Sequence, residues 1–181
     1  MSAANSTRNA SSPAPRPRTA APVLWIVVPA YNEELVLAQT VPMFLDELDT
    51  LIAEHGVSPE SLILFVDDSS SDATWQIVSS LARREPHVAA IRQSRNRGHQ
   101  SSVLAGLMEA RGRADITISI DCDGQDDIHA MEEMVDCWWD GYDVVYGVRS
   151  SRKTDSWAKR FTAQSYYKML SSLGAEVVYN H

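Results

Sequence analysis

The chain has 181 residues, with 24 Asp and Glu against 16 Lys and Arg and a formal net charge of −8. That balance argues against a general nucleic-acid binder, which collects Lys and Arg to displace counterions from phosphates, and the length suits a single domain around one good core. No run approaches the roughly 20 apolar residues of a membrane span, and the two cysteines, Cys122 and Cys137, read as buried thiols and not as a disulfide framework or metal motif.

Residues 1–22 are rich in Ser, Ala, Pro and Asn, lack the apolar core of a signal peptide, and read as a disordered leader. From Val23 onward, short β-type runs alternate with longer helical stretches, the pattern of βα units around a mostly parallel sheet. Val23–Val28 is the first strand, ended by Pro29. Asn32 is placed to cap a helix whose first turn carries Glu33 and Glu34 and which runs toward His55, kinked or restarted at Pro42 and closed by Gly56. Leu62–Val66 is a fully apolar and therefore central strand, followed by a helix over about 73–84. His87–Ile91 is a third strand, and the helix over about 100–110 places Val103, Leu104, Leu107 and Met108 on one face. Ile116–Ile120 is a fourth strand and Ile128–Trp139 its helix, with Trp138 and Trp139 read as core and rim of that helix and not as a sugar platform. Tyr142–Tyr146 is expected as a strand, Trp157–Leu170 as an amphipathic helix suited to a membrane surface, and Glu176–Tyr179 as a last short strand.

Three strand ends carry the polar density of the chain: Pro29-Ala30-Tyr31-Asn32-Glu33, Asp67-Asp68-Ser69-Ser70, and Asp121-Cys122-Asp123-Gly124-Gln125. In a parallel sheet all three fall at the carboxyl edge, where open α/β folds bind ligands. Concentrated carboxylates there are tolerable when a cation joins them, and a hard divalent metal bridging to phosphate is the expected guest. Asp121 and Asp123 share the metal duties in this reading, with Gln125 adding a neutral oxygen. Alternate strand residues face opposite ways, so both reach one ion only if the backbone turns at Cys122 or Asp123, which Gly124 permits. Asp68 is placed to accept from a base N–H or a ribose hydroxyl, or to serve as a helix cap. His99 has no identifiable partner and suits a turn as well as a ligand contact. No Gly-x-Gly-x-x-Gly or Walker loop occurs, so a nucleotide would be held by carboxylates and metal and not by a glycine nest. Positive charge is absent between Thr19 and Ala82 and between Ala114 and Val148, then returns in Arg149, Arg152, Lys153, Lys159, Arg160 and Lys168, an arm suited to anionic groups.

The segments Val-Val-Pro-Ala-Tyr-Asn-Glu-Glu (27–34), Phe-Val-Asp-Asp-Ser-Ser-Ser-Asp-Ala-Thr (65–74), Asn-Arg-Gly-His-Gln (96–100) with Ala105-Gly106, Asp-Cys-Asp-Gly-Gln-Asp (121–126) and Tyr-Gly-Val-Arg (146–149), in this order, resemble the family 2 glycosyltransferases of GT-A fold. Within that family the likeness is to polyprenyl-phosphate glycosyltransferases of the dolichol-phosphate mannose synthase type, and it covers roughly residues 23–181. The resemblance implies a GT-A, Rossmann-like α/β domain with a mostly parallel central sheet and helices on both faces. It also implies inverting transfer of a sugar from a UDP- or GDP-sugar to a polyprenyl phosphate, with Mg²⁺ or Mn²⁺. Pro29, Tyr31, Glu33, Asp68 and Asp121 would hold the nucleotide, and Asp121, Asp123 and Gln125 the metal. Asp123 and Arg149 would be catalytic, and Arg149, Arg152 and Lys153 would contact phosphate or acceptor. Relatives often read Gln-Asp-Pro-Pro-Glu where this chain has Gln125-Asp126-Asp127-Ile128-His129.

Such enzymes continue past the position of His181, so the expectation is a catalytic domain over 23–181 that is incomplete at its C-terminus. It would lie in the cytoplasm, with peripheral contact to the inner face of the membrane in the longer protein, and would bind donor with weak or absent transfer. Two alternatives stand beside this: a donor-binding module without activity of its own, and a haloacid-dehalogenase-like phosphatase, suggested by Asp121-Cys122-Asp123-Gly124.

Overall fold

Four apolar runs pair into one wholly parallel sheet in the computed structural model, which describes residues 13–148. The strands are β1 (Leu24–Ala30), β2 (Leu62–Asp67), β3 (Val88–Arg92) and β4 (Ile116–Ser119), in the order β3-β2-β1-β4. Between them run α1 (Leu37–Glu54), α2 (Thr74–Leu81) and α3 (His99–Ala110), and α4 (Ala130–Trp139) follows β4. Every residue of β1 is buried, as a central strand covered on both faces requires. Residues 13–143 form one unit; residues 144–148 belong to another and form neither helix nor strand.

The two faces follow from the two-residue period of the strands. Leu24, Ile26 and Val28 of β1, with Ile63 and Phe65 of β2, join the core made with Phe44, Leu48 and Leu51 of α1, Val78 of α2, and Met131, Val135 and Trp139 of α4. Trp25 and Val27, with Leu64 and Val66, pack on the opposite side against Ala105 and Ala110 of α3. Right-handed crossovers that advance from β1 to β3 and then return to β4 must put the returning helix on the other face. This reversal makes the boundary between β1 and β4 a topological switch point. Gly106 sets the spacing of α3, because a Cβ there would overlap Val27 Cγ1 and stand 3.1 Å from Val66 Cγ2.

Pro29 does not end β1. Pairing with β2 continues through Ala30 opposite Asp67, whereas pairing with β4 stops at Val27 opposite Ser119. The Val27 carbonyl accepts from Ile120 N at 3.2 Å, so odd-numbered residues of β1 face β4, and the N–H that Pro29 lacks would have pointed to where β4 has left the sheet. A proline is therefore tolerated in a central strand and fixes where the β1–β4 crevice opens.

Several local expectations are corrected. Asn32 caps no helix: α1 begins at Leu37 without a side-chain cap and with no acidic residue in its first turn. The Asn32 carboxamide instead accepts from Ser71 N at 2.9 Å, a bond across two loops that outcompetes the local one. Pro42 lies inside α1, which is one helix through it. The leader is engaged from residue 13 onward: Arg16 N and Nε donate to the carbonyls of Trp139 and Trp138 at 2.7 and 2.8 Å, and its guanidinium lies 4.7 Å from the Trp138 ring centre. A cation thus sits where the α4 dipole is negative, a place for which α4 has no basic residue of its own. Residues 142–146 are not a strand. An extended run joins a sheet only where a neighbour offers free ladder groups; here Tyr142 N donates to Cys137 O at 3.1 Å, and Asp143 is paired with Arg16. The two indoles are core and rim in the reverse of the expected order: Trp139 is core, donating Nε1–H to the His55 carbonyl at 2.9 Å, and Trp138 is partly buried at the rim. The expected helix at 157–170 and strand at 176–179 lie outside the described residues.

Candidate active site

The loops after β1 and β2 are tied together before they build anything. Asp68 N donates to Ala30 O at 2.9 Å, Asn32 N to Ser70 Oγ at 3.0 Å, Glu33 N to Thr74 Oγ1 at 2.8 Å, and Ala73 N to Glu34 Oε2 at 2.8 Å. Asn32 and Ser69 take positive φ, 56° and 61°. For residues with side chains, such conformations cost about 1–3 kcal/mol each and persist only where surrounding bonds over-determine them. Asp67, wholly buried, is neutralised by Arg92 Nε at 2.9 Å. These contacts hold Tyr31, Glu33 and Asp68 at the rim of the β1–β4 crevice.

On the other side of the crevice, the chain leaves β4 and turns at Cys122–Asp123. Gly124, at φ 68°, completes the turn with its Cα against Thr40, where a Cβ would stand 3.1 Å from Cγ2. The turn brings Asp121 and Asp123 to one cleft, while the Cys122 side chain is buried. Burial first, then the nearby Glu33, Asp123 and Asp121 charges, push that thiol up to about 12, so it is a neutral core group.

The cleft has a volume of about 230 Å³ and is bordered by Pro29, Ala30, Tyr31 and Glu33 from β1 and its loop, Asp68 just after β2, Asn96 and Gly98 from the loop before α3, His99 and Ser102 from the first turn of α3, and Asp121 to Asp123 from β4's loop. Six expected site residues, Pro29, Tyr31, Glu33, Asp68, Asp121 and Asp123, thus meet in one place. Gln125 does not border it; its backbone N–H donates to Asp123 Oδ1 at 3.0 Å. Arg149, Arg152 and Lys153 lie outside the described residues. His99, left open by the sequence, stands with Nε2 3.6 Å from Asp121 Oδ1; Asn96 and Gly98 belong to the 96–100 segment, for which the sequence suggested no site role, and Ser102 carried no sequence signal. For Asn96 and Gly98 the available signal was their place at the entry to the helix that crosses the switch point.

Asp68 is more committed than its type suggested. Its Oδ1 accepts from Arg97 N at 2.8 Å and Gln93 Nε2 at 3.0 Å, and its Oδ2 from Gly98 N at 2.7 Å. A carboxylate has about four lone-pair positions, so three are spent on fixing the loop that leads into α3. The positive end of α3 is thereby aimed at the cleft.

Among the described residues no Lys or Arg borders the cleft. The Glu33 carboxyl is raised above its ordinary range, by burial first and then by the Asp123, Asp72 and Asp121 charges. Glu33, Asp121 and Asp123 thus border one cleft with His99 beside Asp121 and, among the described residues, no Lys or Arg at its border, in contrast to Asp67 with its arginine. Such a set of hard oxygen donors with unbalanced charge fits Mg²⁺ or Mn²⁺.

An acidic cleft at the switch point of a parallel sheet, beside a helix N-terminus, is where α/β folds hold phosphorylated ligands. Residues 25–178 match the family described as Glycosyl transferase family 2, and the chain belongs to it. It is 44% identical over 160 residues to the uncharacterized glycosyltransferase YkoT of Bacillus subtilis, covering 88% of this chain and 48% of that protein. To the prophage bactoprenol glucosyl transferase homolog of Escherichia coli it is 38% identical over 144 residues, covering 80% and 44%. The chain thus spans about half the length of the curated relatives it matches. Among solved structures, mannosyltransferase PcManGT from Pyrobaculum calidifontis, a complex with GDP-Man and Mn²⁺, superposes with a TM-score of 0.50 at 20% identity, covering 76% of this chain and 37% of that one. The fold is the expected GT-A fold, and family membership replaces the phosphatase alternative. Among the described residues no helix is long and apolar enough to cross a membrane.

Proposed function

We propose that the cleft binds a UDP- or GDP-sugar with Mg²⁺ or Mn²⁺, and that the protein transfers the sugar with inversion to a polyprenyl phosphate at a membrane surface. The observation that carries this reading is the convergence of Glu33, Asp121 and Asp123 at the mouth of the β1–β4 crevice, where no Lys or Arg stands among the described residues. Asp121 and Asp123 would hold the metal, which when bound would neutralise charge on the donor diphosphate. Pro29, Tyr31, Glu33 and Asp68 would line the nucleotide pocket, Asp68 with its one remaining lone-pair position. The N-terminus of α3 and His99 would face the diphosphate, and Arg149, Arg152 and Lys153 would supply phosphate contacts from outside the described residues.

The bactoprenol relative and the GDP-Man complex support the acceptor and donor classes. A lipid monophosphate with a second pKa of about 6 is already largely ionised at pH 7. Its oxygen can therefore attack the anomeric carbon as the bond to the diphosphate breaks and the nucleoside diphosphate leaves, without a strong general base.

The test is calorimetry with UDP- and GDP-sugars, with and without Mn²⁺, on the wild type and on Asp121→Asn/Asp123→Asn. Metal-dependent binding of one nucleotide, lost in the double variant, is expected. Binding indifferent to metal, or to the double substitution, refutes the site. Incorporation of labelled sugar into a polyprenyl phosphate then tests transfer.

A further inference from the structure

Between α1 and the start of α4, a second group of acids and imidazoles joins the two helices. Glu47 of α1 is 2% exposed at its side chain, and its Oε2 lies 2.9 Å from Nδ1 of His129, the residue just before α4. The other oxygen of the same carboxylate, Oε1, is buried and has no hydrogen-bond partner among the described residues. His129 Nδ1 also lies 3.3 Å from Glu132 Oε1, one helical turn on. Behind them, His55 at the end of α1 reaches Glu132 Oε2 with Nε2 at 3.3 Å and Asp136 Oδ1 with Nδ1 at 3.0 Å.

The geometry points to a second metal site, in which Glu47, His129 and Glu132 bind a divalent transition ion, with Zn²⁺ the best chemical match. Donors 2.0–2.1 Å from a tetrahedral ion stand about 3.3 Å apart, and the His129 nitrogen stands 2.9 and 3.3 Å from its two carboxylate neighbours. One imidazole with two carboxylates suits zinc better than magnesium or calcium, which prefer all-oxygen shells. His55 and Asp136 form the outer relay that commonly orients a ligating carboxylate. The buried, half-unpaired Glu47 carboxylate is the second observation. An ionised oxygen held away from water without a partner is costly, and a cation would satisfy it.

Occupancy would pin the end of the Asp121–Ile128 segment to α1, four residues past Gln125, and so stiffen the loop that carries Asp121 and Asp123. The inference does not depend on the donor site, and none of its ligands borders that cleft.

The untagged full chain, stripped with chelator, is titrated with Zn²⁺ in the calorimeter and with Co²⁺ in the visible region. One site per chain is expected, with the strong absorption of tetrahedral Co²⁺. It should persist in Asp121→Asn/Asp123→Asn and weaken in Glu47→Gln and His129→Ala by more than the roughly 10–100-fold typical of losing an outer partner. His129 is 73% exposed at its side chain, so its truncation leaves no core cavity and a folding failure would not mimic the result. Zinc binding that vanishes with Asp121 and Asp123, or that His129→Ala and Glu47→Gln leave unchanged, overturns the assignment.

Discussion

Replacing Asp68 by Asn separates two roles that the cleft combines. The carboxylate accepts from Arg97 N, Gln93 Nε2 and Gly98 N at 2.8, 3.0 and 2.7 Å. The amide keeps one accepting oxygen, so its NH₂ must face either Gly98 N–H or the other two donors. At least one hydrogen bond to a charged group is lost, worth about 1.5–3 kcal/mol. For a chain of this size each kcal/mol moves the midpoint by about 2–4 °C, so Asp68→Asn should melt about 3–12 °C lower with neither nucleotide nor metal present. Circular dichroism gives the midpoint, and amide exchange should quicken at Arg97 and Gly98 ahead of the sheet. A variant that melts within about 1 °C of wild type with unchanged exchange, while losing nucleotide binding, would refute the anchoring argument and leave Asp68 purely a ligand.

Gly106→Ala forces a methyl group into Val27 and against Val66; such overpacking costs about 1–3 kcal/mol, read as a lower urea midpoint, and an unchanged midpoint would mean α3 has room to move. Glu33→Gln removes a carboxyl whose folded pKa is raised, so its penalty is absent below the unfolded value near 4.5 and grows as pH rises through the folded one. The metal-free variant should therefore melt above wild type at pH 7 and with it at pH 4, while binding Mn²⁺ more weakly; equal melting at both pH values would contradict the crowding of carboxylates. Cys122, held neutral up to about 12, contributes stability that is intact below its unfolded pKa of 9 and falls above it. Stability curves between pH 8 and 10 should thus be flatter for Cys122→Ala, and native Cys122 should react with a disulfide reagent far more slowly than after unfolding.

Elements were legible wherever one periodicity dominated. β1 and β2 read as strands because their apolar runs are unbroken, and α3 as a helix from the spacing of Val103, Leu104, Leu107 and Met108, although the face that packs is that of Ser102, Gly106 and Ala110, while Leu104, Leu107 and Met108 are exposed. Errors fell where a local signal had a distant competitor. Asn32 carries the side chain of a cap, but Ser71 holds it. Pro29 carries the mark of a strand end, but only one of its two edges ends there. Tyr142–Tyr146 has strand composition, but its first residues are engaged by the last turn of α4 and by Arg16.

By itself the sequence determined the βα alternation, the three polar strand ends and the family, because each is written in consecutive residues or in motif order. Tertiary structure alone decided that Asp68 is spent on the loop at 93–98, that His99 stands beside Asp121, and that Glu47 and His129 meet across two helices. These are contacts between segments tens of residues apart. Their partners are chosen by the close approach that Gly106 allows, by the crossover of α3 to the opposite face, and by the packing of α4 on α1, none of which a local pattern encodes.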